Sequence, residues 1–142
     1  MELKIKIFDE LTTRELYEIV RARCEIFLVE QQIICQDFDR VDYDSLHCFL
    51  EENGEIRAYL RAFVDEIGEL RIGRVLSTVH KKGYGSRLMK ESIPHIQRFF
   101  GKNGITIHAQ KQAQSFYERL GFKVSSEEFI EDSIIHIEMK LN

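Results

Sequence analysis

Two glycines one residue apart, Gly83 and Gly85, separate a strand-like run ending near Leu76 from a helix-like run through Leu88, Met89 and Ile93. A second strand-like run, Ile105 to Ala109, follows that helix. Strand, helix and strand in succession form a crossover unit, whose two strands can pair in parallel. The turn that opens the helix also carries a chemistry. Its first backbone N–H groups have no intrahelical partner, glycine leaves them sterically open, and the macrodipole favours negative charge there. Between Leu70 and Lys90 the chain carries six Lys or Arg residues and no acid, against a formal net charge of -4 overall. His80-Lys81-Lys82-Gly83-Tyr84-Gly85 therefore reads as a pyrophosphate cradle. It is not a Walker loop, because GxxxxGK followed by Ser or Thr is missing, and Leu88 stands where a dinucleotide fingerprint needs its third glycine.

The rest of the chain supplies strands and helices around this unit. Leu3, Ile5 and Ile7 alternate with charged residues, as a first strand would. Thr12-x-x-Glu15 has capping-box spacing and opens a helix carrying Leu16, Ile19, Val20 and Phe27 to about Leu28. Residues 31–45 show no period and hold Asp37, Asp39, Asp42 and Asp44, so they read as a loop with room for one helical turn. Asn53-Gly54 between apolar runs marks a hairpin, and Gly68 marks the next turn. In the strand that follows, regular alternation would place Glu69, Gly73 and Val75 on one face. Pro94 predicts a kink or an early end of the helix after Gly85. Ala113, Phe116, Tyr117 and Leu120 share one face of a short helix that stops at Gly121. Phe122-Lys123-Val124 and the alternation at Ile135, Ile137, Met139 and Leu141 complete the sheet. The sum is an α/β (α+β) single domain: a mostly antiparallel mixed sheet of about six to seven strands flanked by helices.

Composition excludes several classes. No apolar run approaches the roughly 20 residues that cross a bilayer, and Met1 to Lys6 lacks a signal peptide's apolar core. The odd cysteine count, Cys24, Cys35 and Cys48 without CxxC spacing, points to reduced thiols and the cytoplasm. A net acidic chain with one short basic stretch is a poor nucleic-acid binder. The aspartate cluster lacks an EF-hand's central Gly and terminal Glu, and His47, His108 and His136 lack zinc-site spacing, so no metal is expected.

Two motifs carry a family resemblance. Val75 to Met89 resembles the acyl-CoA pyrophosphate loop of the GNAT N-acetyltransferase superfamily, Gln/Arg-x-x-Gly-x-Gly/Ala after the fourth strand, with His80 at the Gln/Arg position. Gln110-x-x-Ala113-x-x-Phe116-Tyr117-Glu118-Arg119-x-Gly121-Phe122 is similar to the family's Asn-x-x-Ala-x-x-(apolar)-Tyr-Glu-(basic)-x-Gly-Phe, with Gln110 replacing Asn. Arg23-Cys24-Glu25-Ile26-Phe27-Leu28-Val29-Glu30-Gln31, the loop with Asp39 and Asp42, and His47 look like the ElaA-like branch. So does the tail Glu128-Phe129-x-Glu131-Asp132-x-Ile134-x-His136-Ile137-x-Met139, which extends the resemblance over nearly the whole chain.

The resemblance implies one cytoplasmic GNAT domain over residues 1–142 with acetyl-CoA as cosubstrate. It implies direct acetyl transfer to a primary amine, a small amine or a lysine side chain, without a covalent enzyme intermediate. Val75, Leu76 and Ser77 would pair with the pantetheine arm. His80, Lys81, Lys82, Gly83, Tyr84, Gly85, Ser86, Arg87 and Gln110 would hold the rest of the cofactor. Tyr117 would protonate the departing thiolate, since a phenol with a pKa of about 10 keeps its proton at neutral pH. Glu69, fourteen residues before Gly83, matches the glutamate that histone-acetylating relatives use as base. His136, Glu138 and a water relay are alternatives. Arg23, Glu30, Gln31, Asp39, Asp42, His47 and His136 would line the acceptor side, where acidic residues would draw in a cationic amine. Two other classes stay open: a GNAT-fold module that binds CoA without catalysis or serves a protein partner, and a nucleotide-phosphate binder. Thiol release with a panel of amines, and thermal stabilisation by CoA against ATP, separate the three. Neither nucleic acid nor membrane is an expected partner, and a homodimer is an open option.

Overall fold

The computed structural model describes all of residues 1–142, and its framework is a mixed sheet of eight strands. They are β1 (Glu2–Ile7), β2 (Leu46–Glu52), β3 (Glu55–Val64), β4 (Leu70–Ser77), β5 (Ile105–Gln110), β6 (Lys123–Val124), β7 (Phe129–Glu131) and β8 (Ile134–Leu141). The order is β1-β2-β3-β4-β5-β8-β6, with β7 also paired to β8. Three helices flank it: α1 (Thr13–Arg23), continued by a π-helical segment Cys24–Glu30, then α2 (Tyr84–Phe100) and α3 (Gln114–Arg119). The strand beyond the expected six to seven is β7. Its hairpin turns through Asp132 and Ser133, at φ 50 and 64, without the Asn-Gly pair that would have announced it.

Local sequence accounts for most boundaries. The Thr12 Oγ1 accepts from the Glu15 N–H at 3.0 Å while the Glu15 carboxylate accepts from the Thr12 N–H at 2.9 Å, so the capping box forms as spaced. Asn53 and Gly54, both at positive φ, join β2 to β3. The expected early end at Pro94 does not occur: α2 runs on to Phe100 and stops at Gly101, φ 66. Pro94 and Lys90 both lie on the solvent side, so the Lys90 carbonyl that loses its N–H partner can bond water instead.

Both faces of the sheet are covered. On one, Cys48, Leu50, Leu60 and Ala62 pack against Leu88, Met89 and Ile96 of α2. On the other, Phe49 and Tyr59 pack against Ile19, Ala22 and Ile26 from the first helical segment. Strand β4 changes sides between them. Gly73 opposes Arg61 and Leu76 opposes Tyr59, so two residues, Arg74 and Val75, stand against one on β3, and Arg74 takes φ 53. This bulge sends Val75 to the α2 face with Leu70 and Ile72, and Leu76 to the α1 face. The expected shared face for Glu69, Gly73 and Val75 is therefore overturned. Just before the bulge β4 also leaves its next neighbour: β4 and β5 pair in parallel at Arg71 with Thr106 and nowhere else.

Candidate active site

The gap left where β4 parts from β5 is a cleft of about 660 Å³, a size typical of small-molecule sites. Val75, Ile107, Ala113 and Tyr117 form its apolar part. Arg61, Arg71, Arg74, Asp37, Asp39, His108, Glu131 and His136 form its polar part. Val75 and Tyr117 belong to the core on the α2 face, while Arg61 and Arg71 alternate out of β3 and β4 on the opposite face. The cleft thus connects the two sides of the sheet. Tyr117, on α3, is 8% exposed and packs edge-on against Phe116 and Phe122. Burial pushes its phenol pKa above the ordinary value, so the proton stays on the oxygen at neutral pH.

On the α2 side, Gly83 caps the helix at φ 73 and Lys81 precedes it at φ 62. The N–H groups of Lys82 to Ser86 have no protein acceptor, and the first turn of α2 contains no acid. Open N–H groups with two exposed lysines fit a pyrophosphate. A Cβ on Gly83 would touch nothing, so that glycine is required by its φ; one on Gly85 would meet the Phe116 ring at an ordinary 3.6 Å. Two of the expected cofactor contacts are engaged elsewhere. His80 Nε2 lies 2.8 Å from Glu30, and Arg87 Nε lies 2.6 Å from Glu91. Tyr84 packs on the core, the Ser77 hydroxyl donates to the Val79 carbonyl, and the Leu76 side chain is buried. What β4 offers a ligand between Gly73 and Ser77 is its unpaired edge.

The acceptor side departs most from expectation. Arg23, 1% exposed, donates to Asp37 at 3.1 Å, to Asp42 at 2.7 Å and to the Asp37 carbonyl at 2.8 Å. Arg61 holds Asp39 at 2.7 Å and Asp42 at 3.1 Å, and Arg74 adds Asp37 at 2.8 Å. Three arginines thus cancel three aspartates, and the loop is no free anionic rim. Burial alone would raise the Asp39 pKa, yet its arginine partners bring it down to about 2; those of Asp42 likewise hold it below the usual range. Arg23 and Asp42 fasten the loop to the sheet, and neither lines the cleft. His47, 1% exposed, is also interior: its Nε2–H donates to the Asp42 carbonyl at 2.9 Å and its Nδ1 accepts from the Tyr59 hydroxyl at 2.7 Å. Burial lowers its pKa.

Glu69 does not reach the cleft either. It accepts from Thr106 Oγ1 at 2.9 Å and sits 3.6 Å from Lys140, on the closed side of the one β4–β5 pair. Gln31 and Gln110 do meet at the cleft, the Gln110 amide donating to Gln31 at 2.9 Å. The far wall is built by β5, β7 and β8. His136 is nearly buried and its Nδ1–H donates to the Ile134 carbonyl at 2.8 Å, which leaves Nε2 as an acceptor 3.7 Å from Glu131. His108 lies between Glu131 at 3.3 Å and Glu138 at 3.6 Å. The Glu131 carboxyl is held below the usual range, chiefly by its hydrogen bond with His108 against opposing burial. Phe129 packs on both imidazoles.

This geometry has known counterparts. Residues 18–142 match the family described as acetyltransferase (GNAT) domain. The chain belongs to the GNAT acetyltransferase family. A UPF0039 protein of Schizosaccharomyces pombe is 34% identical over 99% of this chain and 97% of its own. An acyl-CoA N-acyltransferase crystal structure from Pseudomonas aeruginosa superposes at TM-score 0.92 and 33% identity, covering 100% of both chains. Escherichia coli ElaA superposes at TM-score 0.92 and 29% identity, also over 100% of both. The resemblance to the ElaA-like branch thus holds along the whole length.

Within this GNAT domain the sequence left several cleft residues unassigned, Arg61, Phe63, Arg71 and His108 among them. Arg71 was counted with the cofactor's basic island, although Leu70 and Ile72 pointing into the core already put it on the other face. Phe63 lies under both Arg61 and Arg71, its ring centroid 5.5 Å and 6.0 Å from their guanidinium carbons. His108, weighed only as a metal ligand, turns out to be a partner of Glu131.

Proposed function

We propose that the protein transfers the acetyl group of acetyl-CoA directly to a primary amine. The observation that carries this is the parting of β4 and β5 after Arg71–Thr106, which leaves a strand edge free at a cleft lined by Tyr117. The N–H groups of Lys82 to Ser86, with Lys81 and Lys82, hold the pyrophosphate, and the edge from Gly73 to Ser77 pairs with the pantetheine arm. The bound cosubstrate supplies an acetyl thioester. The amine enters from the α1 face. Its nitrogen forms the new C–N bond as the C–S bond breaks, and the electron pair of that bond passes to the sulfur. Tyr117 gives the sulfur its proton. His136 Nε2, backed by Glu131, takes the proton that the amine loses, directly or through water.

Tyr117→Phe tests this, because it keeps the ring packing and deletes only the proton donor. Thiol release from acetyl-CoA with an amine panel should fall by about 10²-fold or more, with CoA affinity unchanged by calorimetry. Turnover at the wild-type level, with chemistry rate-limiting, would overturn the role. CoA-dependent stabilisation without thiol release from any amine would make the protein a binding module instead.

A further inference from the structure

We infer that the acceptor is a zwitterion, an amine that also carries a carboxylate, and that Arg71 receives the carboxylate; the inference rests on the acetyl-transfer reading above. Three arginines line the cleft. Arg61 and Arg74 are each matched by aspartates of the 31–45 loop. Arg71 has no carboxylate and no hydrogen-bond acceptor on any nitrogen, and its Nε is sealed from solvent. Its guanidinium rests over the Phe63 ring, 6.0 Å from the centroid, which fixes the fork without neutralising it. A half-buried guanidinium held in one orientation, with only its Nε sealed, is suited to a bidentate carboxylate.

The opposite wall has the complementary sign. Glu131 and Asp132 line the cleft from the β7–β8 hairpin, and the Arg71 charge is near enough to help lower the Glu131 pKa without touching it. With the loop aspartates cancelled by Arg23, Arg61 and Arg74, the cleft keeps one unmatched cation on β4 and an acidic patch facing it. A plain cationic amine would satisfy the patch and leave Arg71 unpaired. An amino-carboxylate satisfies both: the ammonium faces Glu131 and His136, and the carboxylate lies toward Arg71, deeper along β4 than Val75. The ammonium gives one proton to His136, and the neutral nitrogen then takes the acetyl carbon. The C–N bond forms as the C–S bond to CoA breaks, Tyr117 protonates the departing thiolate, and the second nitrogen proton, lost as the amide forms, returns through water to the Tyr117 oxygen. Since the cleft must also admit the thioester end of the cosubstrate, the acceptor is small, of the order of an amino acid or dipeptide.

Thiol release from acetyl-CoA, measured with amino acids, dipeptides and ω-amino acids beside their decarboxylated counterparts, tests the assignment. Wild type should favour the carboxylate-bearing member of a pair by at least about tenfold in kcat/KM, a modest value for a charge-assisted bidentate pair. Arg71→Met should abolish that preference, acting mainly through KM, and Arg71→Lys should restore part of it. Retained CoA-dependent thermal stabilisation shows that each variant is folded; if Arg71→Met fails this check, the wild-type pairs and Arg71→Lys decide alone. Decarboxylated amines that equal or exceed their parents in wild type would overturn the zwitterion while leaving acetyl transfer standing. So would an Arg71→Met loss that is the same for both members of a pair. No thiol release with any amine would overturn the acetyl-transfer reading itself.

Discussion

Asp42 shows how much a single side chain can be asked to hold. Its carboxylate touches two arginines that are almost fully withdrawn from water, Arg23 at 2.7 Å and Arg61 at 3.1 Å. Removing one partner from a buried ion pair leaves a desolvated charge behind, which is costlier than the pair was worth. Asp42→Ala should therefore destabilise the fold by about 3 kcal/mol, the low end for such a loss because Asp37 and Asp39 remain. Denaturant unfolding measures this, and a change below about 1 kcal/mol would show that the network is mostly solvated. The same substitution removes no unpaired charge from the cleft, so any loss of activity should follow loss of the fold. Arg71 is the converse case, a half-buried cation whose Nε is sealed from solvent and for which the protein supplies no partner.

At the scale of elements, the turn into α2 combines a conformational demand with a binding surface. Gly83 at φ 73 is in the left-handed region, where an L side chain costs about 1–2 kcal/mol. Space is not the obstacle, since a Cβ there would meet nothing. Gly83→Ala should thus shift the turn toward a right-handed backbone and reorient the unpaired Lys82 to Ser86 N–H groups. CoA affinity should fall by about tenfold or more, equal to about 1.4 kcal/mol, whereas Gly85→Ala should cost less because its new methyl only contacts Phe116. Equal affinity in a folded Gly83→Ala protein, by calorimetry, would refute the cradle. The β4 bulge works in a similar way: the inserted residue Arg74 turns Val75 toward Tyr117, on a stretch of strand whose edge is already free past Arg71.

Across the whole molecule, paired carboxylates join segments distant in sequence, and this sets the response to acid. Glu15 links the start of α1 to Lys4 and Lys6 on β1 at 2.9 Å each. Burial alone would raise its pKa, but the Thr12 N–H and both lysines bring it down to about 2, as Arg61 and Arg74 do for Asp39. Both groups would titrate near 4 in an unfolded chain. Because the folded values are the lower ones, the stabilisation is complete above about pH 4 and is lost as pH falls through about 2. The melting temperature should hold down to about pH 5 and then drop steeply; a level profile to pH 2 would show that these pairs add nothing to stability.

Much of this architecture was legible in the order of residues, because the devices that set it are local. The Thr12–Glu15 box, the Asn53-Gly54 turn and the alternation in β1 and β8 act within a few residues, so their outcome is written next to them. The glycine turn at Gly83 and the helix bearing Tyr117 were visible for the same reason. The acceptor side was not, because charges there are matched across 14 to 37 positions of sequence: Arg23 with Asp37, Arg61 with Asp39, Arg74 with Asp37. A sequence shows that four aspartates lie close together in one loop. Only the folded chain shows which of them are already spent on arginines. Glu69 turns out to lie away from the cleft, and His136 and Glu131 turn out to line it, on the same ground: the Arg71–Thr106 pair closes the sheet beside Glu69, and the gap opens only beyond it. Composition and spacing determine the elements and the glycine turn into α2. Tertiary contact alone decides which charges stay unpaired, because the worth of a charge depends on what stands beside it in space and on how much water is left.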